Sequence, residues 1–566
     1  MRCFLLLFLT LLSSGLSAQT VPAGHPVLEE ALRRKQLVGE ISPDVSFVQR
    51  PIKVNWTGDG KFPSDSWESF RLGVHGTDTI VQEKFWWQPL PIRNFSRYST
   101  GRPYGNAPGM MVPAVGMQTL ASGGIEGKYK WISGYFQPEL LLVENRRFPG
   151  YRDIFDQRVN SARFRYWNNG DPSERLAPGR FARLGWGNSK LALRAGAFEA
   201  GISTENIWWG PGQFHALTFS NQARGFPHVS LNTHKPLETF IGNFEAQMVV
   251  GRLANNYAPP SQIDELNNAY FEPLPRSSRY LNAFNIVYSP NLLRGLSLGL
   301  SRTFQQFNSE RGQSFWDWFP VFEPFQKSKL FEDGHSVDYD DREQDQQATV
   351  YARYFIAKAK MEVYAEYGRR DHAYSWRDFA MNPEHSRAYI LGFNKLFPTT
   401  NPGRWFQMRG EMVHGSQSAN TMVRYSGISG GMSWHMHGQA RGFRNHGEYM
   451  GIGAGAGTNL QTLELSLVEG VNKFGILAER AANHMDFYNR AFQGQENARP
   501  WVDFSGALLI TREWNRFLID GRIQGITAYN YQWQINADTE SPLPRGHFGK
   551  FSILAQVHMY YLIDWK

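Results

Sequence analysis

Cysteine is nearly missing: the chain has one, Cys3, in 566 residues. A disulfide-stapled secreted scaffold needs an even set, so that class is excluded. No run of about 20 apolar residues follows the N-terminus, and the mean hydropathy is −0.45. A polytopic helical membrane protein would show the opposite of both. Charge is sparse at 19%, and neither sign dominates, with 59 Lys and Arg against 51 Asp and Glu. What is abundant is aromatic residues, at 14%, and glycine, at 54 positions. A disordered or collagen-like chain would not carry so many aromatics. A large soluble β protein and a transmembrane β-barrel remain.

The N-terminus separates these two. Met1-Arg2 is a short basic start, Phe4 to Leu12 is apolar, and Leu16-Ser17-Ala18 has the small-x-small form of a cleavage site. Residues 1–18 therefore read as an export signal. Cys3 precedes the apolar stretch, which argues against a lipoprotein anchor, and cleavage after Ala18 would leave no cysteine. An exported chain without a second helical anchor is either soluble or crosses the membrane as a closed barrel.

Residues 19–63 read as a separate N-terminal periplasmic segment. Val27 to Leu37 predicts one helix, with Leu28, Ala31 and Leu32 on a shared face. Glu29-Glu30 early and Arg33-Arg34-Lys35 late suit the helix dipole. From residue 64 to 566 the dominant signal has period two. Met361, Val363, Ala365 and Tyr367 alternate with Glu362, Tyr364 and Glu366; Ile519, Gly521 and Ile523 alternate with Asp520, Arg522 and Gln524. Phe240–Met248, Phe406–Met412 and Gln461–Leu467 repeat the pattern.

Three features favour a barrel over a sandwich. The strands run to about ten residues, the length that crosses an outer membrane at a tilt. Aromatics bracket them, as at Tyr354-Phe355 and Tyr560-Tyr561. Connections alternate between short turns, such as Ala357–Ala359 and Glu469–Asn472, and long polar stretches, such as 309–345 and 415–459. Counting back from a C-terminus in the periplasm places every long loop outside. Twelve strands are counted back to Thr239–Leu253, and six more near 66–76, 112–123, 127–138, 158–168, 180–186 and 190–200 give about 18. Gly201–Leu237 then falls on the periplasmic side, too long for a turn, and is expected to fold into or under the lumen.

Several segments carry a resemblance. Asn206-Ile207-Trp208-Trp209-Gly210-Pro211-Gly212 is followed by Leu217–Asn221 and Gly225-Phe226-Pro227-His228. Further on come Gly451–Gly457, Asn459-Leu460-Gln461, Ala478-Glu479-Arg480 and His484–Tyr488. The series, spread from about residue 66 to the end, resembles the capsule assembly protein family Wzi in its Bacteroidetes-type form. The glycine run here, Gly451-Ile452-Gly453-Ala454-Gly455-Ala456-Gly457, is less regular than the family's. The resemblance implies an all-β outer-membrane barrel of about 18 strands with a small helical periplasmic part. It also implies a lectin-like anchor for capsular polysaccharide rather than an enzyme.

The most unusual loop is Phe315-Trp316-Asp317-Trp318-Phe319-Pro320. Trp316, Trp318 and Phe319 offer faces that stack on sugar rings, and Asp317 can accept from sugar hydroxyls. The same loop could instead fold over the barrel mouth with its aromatics as its own core. Trp208, Trp209, Gly210 and Pro211 could stack a sugar, but Gly and Pro beside paired Trp favour a tight turn packed in a plugged lumen. Arg194, Arg353, Arg409 and Arg522 lie on the polar strand face. Paired with Glu362, Glu411 or Asp520 they would pack the lumen; unpaired they would draw anions into a pore. His435 and His437 share a face if their stretch is extended, with His446 in the same loop, but no cysteine and no clear third and fourth ligand set complete a zinc site, and the Asp338, Asp340, Asp341 cluster reads first as solvated acid. No metal site and no cofactor is expected. No nucleophile elbow, zincin helix or dinucleotide loop is present.

Three functions follow, from different classes. The first is a non-enzymatic, monomeric barrel seated in outer-membrane lipid that anchors capsular or other surface polysaccharide. The second is a channel for acidic oligosaccharides. The third is an exported soluble enzyme acting on polysaccharide. Nucleic acid is not an expected partner.

Overall fold

The computed structural model describes residues 19–21, 23–54, 85–322, 344–370, 380, 386–417, 433–492, 498–533 and 549–563. The export segment 1–18, the candidate strand near 66–76 and the acidic cluster 338–341 lie outside these residues.

The described residues form one closed antiparallel barrel of 18 wall strands. Strands β1 to β3 are Phe85–Ser99, Gly116–Tyr129, and Ile132–Phe136 continued by Glu139–Val143. Strand β4 is Phe181–Gly185 continued by Lys190–Ala195, β5 is Phe198–Ser203, and β6 is His228–Thr233 continued by Leu237–Glu238. Strands β7 to β12 are Gly242–Leu253, Arg279–Pro290, Leu296–Phe307, Asp345–Ile356, Met361–Arg370 and Arg387–Pro398. Strands β13 to β18 are Arg404–His414, Asn459–Glu469, Asn472–Ala482, Val502–Trp514, Phe517–Tyr529 and Lys550–Tyr561. The ring closes where β18 meets β1, from Leu554 opposite Ser99 to Tyr561 opposite Ile92.

The alternation in the sequence sets the two faces. On β17, Ile523 is exposed on the outside while its neighbour Gln524 is buried inside. On β11, Glu362, Tyr364 and Glu366 point inward and are buried. Polar residues inside and apolar residues outside invert the order of a soluble protein and match a wall bathed in hydrocarbon. Among the described residues no helix is long and apolar enough to cross a membrane, which leaves strand crossing untouched.

The expected number of strands is found, but its members differ. Residues 158–168 are not a strand: they lie in helix α2, Gln157–Asn168, capped by the Asp156 carboxylate accepting from the Val159 N–H at 2.9 Å. Stretches 180–186 and 190–200 are not two separate strands, since Phe181–Gly185 and Lys190–Ala195 continue one another in β4. Strand β1 was not anticipated. Its pattern is broken by Pro89 and Pro91 and by a register shift between Leu90 and Arg93. The stretch Gly201–Leu237 is not a periplasmic insertion. It ends β5, enters the lumen from the long-loop end, and returns as β6.

The predicted N-terminal helix is α1, Pro26–Val38, with Pro at its start and Gly39 at φ 92° ending it. It is seated inside the short-turn end of the barrel. Val27, Leu28, Ala31 and Leu32 share a core with Val471, Leu518 and Tyr560 of the wall region. At the opposite end α2 packs with α3, Asp264–Tyr270, and α5, Met485–Ala491, over an aromatic core that includes Phe164, Trp167, Phe487, Trp501 and Trp533. Close backbone approach is needed beneath this cap. A Cβ on Gly170, at φ +116°, would lie 2.5 Å from the Gly442 Cα.

Candidate functional site

Two places concentrate functional side chains: the lumen, and the edge of the long-loop end.

The lumen is filled from three directions in sequence. Residues 26–52 enter at the short-turn end, 204–227 enter at the long-loop end, and 433–457 lie beneath the helical cap. The first two meet as a two-stranded ladder, with Trp208 opposite Arg50 and Trp209 opposite Gln49. Arg50 donates to the Gly210 carbonyl at 2.6 Å and the Gly212 carbonyl at 3.0 Å, and its guanidinium lies 4.7 Å from the Trp208 ring centre. Trp209 is fully buried and its indole N–H donates to the Gln247 side chain at 2.8 Å. Gly210 sits at φ +116°, where a Cβ would lie 2.6 Å from a Glu366 carboxylate oxygen. The Pro211 carbonyl accepts from Arg33 at 3.0 Å. The Trp-Trp-Gly-Pro segment therefore joins the N-terminal segment to the wall, and none of its four residues faces an open mouth.

Many of the charges inside are matched. Glu362 on β11 takes Arg353 from β10 at 2.5 Å and Arg33 from α1 at 3.2 Å. Glu30 of α1 takes Arg34 at 2.5 Å, Lys473 of β15 at 2.7 Å and Arg409 of β13 at 3.1 Å. Arg409 also pairs with Glu464 at 2.5 Å. Glu411 on β13 accepts from the Gln213 and Phe214 N–H groups, from Tyr364 and from His215 Nδ1. Of the expected lumen arginines, Arg353 and Arg409 are thus ion-paired, and Arg522 donates to Gln524 on its own strand. Arg194 pairs with Glu199 at 2.8 Å. A buried charge without such a partner would cost several kcal/mol, so this matching permits the packing. The network was only partly legible beforehand: ion pairing of the strand arginines with Glu362, Glu411 or Asp520 was one of two open readings, whereas Glu30 and Arg33 came from a helix assigned outside the barrel.

A cavity of about 460 Å³ persists between these segments and the wall, lined in part by Tyr104, Asn106, Gln222, Glu448 and Arg522. Glu448 lies in a short hairpin inside the lumen, and burial pushes its carboxyl up to about 8. Asp171, under the cap, is raised by burial but lowered more by His484, Arg163 and the Ala456 N–H, so it stays below the usual carboxylate range. His435 is buried, accepts from the Ile452 N–H at 3.1 Å, and is lowered by burial to about 3. His437 accepts from the Ala440 N–H at 3.1 Å. Among the described residues no group of three His, Cys, Asp or Glu is placed to hold a metal ion.

The aromatic loop takes an unexpected place. It neither crosses the mouth nor rises above it. Arg279 and Leu281 on β8 point inward, so Tyr280 and Asn282 point outward. The Asn282 side chain accepts from the Val321 N–H at 3.3 Å, outward-facing Arg302 donates to the Val321 carbonyl at 3.0 Å, and the Tyr280 hydroxyl donates to the Trp318 carbonyl. The loop is therefore draped over the outer face of the wall near the long-loop rim. Its short helix α4, Phe315–Trp318, is closed by a capping box in which Asp317 accepts from the Ser314 N–H at 2.8 Å and hydroxyl at 2.6 Å. Arg311 lies 3.6 Å from the Trp318 ring centre, and Phe319 packs on Phe315 at 5.0 Å. Trp316, 54% exposed, is the most open of the three candidate rings, ahead of Trp318 at 40%. Nothing in the sequence signalled an outward fold, because the outward polar residues Asn282 and Arg302 interrupt an otherwise apolar face only at the rim.

Barrel, ion-paired filling and helical cap together define a closed membrane-type β-barrel whose lumen is occupied by its own chain. The chain belongs to the capsule assembly protein Wzi family, whose model matches residues 100–466. That match ends before the Glu-Arg and His-Met-Asp segments at 479–486. Among solved structures the chain is similar to Wzi of Escherichia coli, described as an outer membrane protein involved in group 1 capsule assembly and a carbohydrate-binding β-barrel. The two are 12% identical, over 97% of this chain and 100% of that one, with a TM-score of 0.58. OccK7 of Pseudomonas aeruginosa is 10% identical over 84% of this chain and 99% of its own, with a TM-score of 0.38, too slight a likeness to support an argument. No curated protein matches the chain.

Proposed function

We propose that this protein is a monomeric outer-membrane barrel that holds capsular or other surface polysaccharide at the cell surface without chemically altering it. Residues 1–18 are its export signal, 19–63 the segment seated in the lumen, and 64–566 the barrel in outer-membrane lipid. The long-loop end faces outward, and it works without cofactor or nucleic acid. One observation carries this reading: in a member of a capsule-assembly family, the lumen is taken up by the chain's own segments, tied to the wall by buried ion pairs such as Glu30 with Arg409 and Lys473. A lumen so occupied leaves the outer rim as the surface on which a polymer can be held. Trp316 is the ring best placed there to stack on a sugar. Asp317 contributes by fixing the α4 turn, and Trp208 to Pro211 by joining the filling to the wall.

The test has two arms. In planar bilayers the protein is expected to conduct little, and steady single-channel conductance with anion preference would favour the channel for acidic oligosaccharides. In pull-downs, capsule from the source cells is expected to be retained, with Trp316→Ala weakening retention by up to about tenfold, the worth of one stacked ring. No retention by the unmodified protein would refute the reading.

A further inference from the structure

We infer that the outer wall carries a seat for one anionic membrane lipid, with an acyl chain in a furrow across β1 to β7 and the phosphate between Arg252 and Arg311. This rests on the outer-membrane reading above.

The furrow follows from register. Residues paired across an antiparallel sheet share a face. One outward row runs from Trp87 through Gly127, Gly134, Leu191 and Ile202 to Val229 and Val250. Two successive positions of this row are glycine, so the wall there presents bare backbone. The neighbouring row on one side carries Phe85, Tyr129 and Ile132. On the other side Ile125 pairs with Phe136, which packs edge to face on Trp186 at 6.0 Å. Bulky ridges thus flank the row where its floor is glycine, at β2 and β3, and the row continues over Leu191, Ile202, Val229 and Val250. The trench has a volume of about 1190 Å³ and an almost wholly apolar lining. Glycine inside a strand often marks a place where another molecule approaches closely. Only a hydrocarbon chain suits such a lining on the outer face of a membrane barrel.

The long-loop end of the furrow has the opposite chemistry. Trp318 and Tyr280 line it, with their rings edge to face at 5.7 Å. Arg311 lies 3.6 Å from the Trp318 ring centre and 5.0 Å from that of Tyr280. Arg252 is the cross-strand partner of Tyr280 on the same outward face. Among the described residues neither guanidinium has an acidic partner, and Arg311 Nε makes no hydrogen bond. Two unmatched guanidinium groups beside an interfacial Trp select a phosphate, which arginine binds in a fork. The outward fold of the 308–322 loop thereby acquires a purpose, since it brings Arg311 and Trp318 to the end of the trench.

Native mass spectrometry of the full chain, released in mild detergent, tests this with phosphatidylglycerol and phosphatidylcholine of identical acyl chains. One phosphatidylglycerol should be retained, with about a tenfold preference over phosphatidylcholine, as expected for a charge-assisted contact. Arg252→Glu combined with Arg311→Glu should erase the preference. Val229→Trp should fill the trench and reduce retention of both lipids, and Ile202→Trp serves the same end if that variant fails to fold. Equal retention of the two lipids, an adventitious detergent only, or unchanged retention in the filled variants would overturn the seat. A chain found in the outer membrane with no lipid preference overturns the seat alone; a chain absent from that membrane overturns the reading beneath it.

Discussion

Replacing Glu362 by Ala should loosen the N-terminal helix from the barrel. Glu362 is fully buried and serves two arginines at once, Arg353 from the wall and Arg33 from α1, while Asn394 donates to its other oxygen at 3.1 Å. Removing one member of a buried ion pair costs about 3–5 kcal/mol, because the partner charge stays behind. Both arginines keep other partners. Arg33 retains Glu29 at 3.2 Å and the Phe47 carbonyl at 2.9 Å, and Arg353 retains Gln36 at 2.6 Å. The cost therefore falls near the lower bound, about 3 kcal/mol, or on the order of a 100-fold shift in the docking equilibrium. It falls on docking because one partner comes from α1 and the other from the wall. Trypsin reads this out, since Arg33, Arg34 and Lys35 lie together on α1 and are cleavable only when it is released. Where opening is fast, cleavage tracks the open population. The variant in membranes should be cut there about 100-fold faster, with far-UV circular dichroism unchanged. Replacing the whole triad, with Arg33→Met and Arg353→Met alongside Glu362→Leu, should restore much of the protection, as apolar replacements of complete buried ion-pair groups do. Equal cleavage of Glu362→Ala and the unmodified protein would refute the reasoning.

Three further outcomes are expected. Glu448 is held protonated to about 8 against an ordinary 4.5, so the folded protein keeps a proton that the unfolded chain releases. Its contribution is complete below pH 4.5 and lost as pH rises through 8; melting temperature should fall over that window, and Glu448→Gln should flatten the slope. At Gly455 a Cβ would lie 2.1 Å from the His484 ring, so Gly455→Val should cost about 1–3 kcal/mol by overpacking; an unchanged heat-unfolding midpoint would contradict this. Asp156→Ala removes the α2 cap, worth about 1 kcal/mol, and should speed amide exchange in 157–168 about fivefold, which hydrogen–deuterium exchange can measure.

The wall was legible because each strand must satisfy lipid outside and polar packing inside, and that demand writes itself as period two. Met361–Arg370 and Phe517–Tyr529 follow it closely. Where the demand relaxes, the signal fails. Phe85–Ser99 carries two prolines and a bulge, and β5 has six residues, too few for a pattern. Helix α2 misled because Phe164 and Tyr166 alternate like a strand, while Val159, Arg163, Tyr166 and Trp167 bury a helical face. The Asp156 cap three residues before Val159 was the available clue. Function was less legible, because it depends on where loops settle. The 315–319 aromatics were visible as a cluster, but their outward position is decided by Asn282 and Arg302, on the two wall strands before the loop.

An 18-strand hoop left hollow yields most readily by flattening. Here the 209–217 segment is bonded to Gln247 of β7 through Trp209, to Glu366 of β11 through Leu217, and to Glu411 of β13 through Gln213. Flattening along this span would have to break those bonds, so the filler works as a set of spokes. If the rim holds a long polymer, as proposed above, a braced cross-section would let a pull on that polymer reach the surrounding wall without distorting the rim.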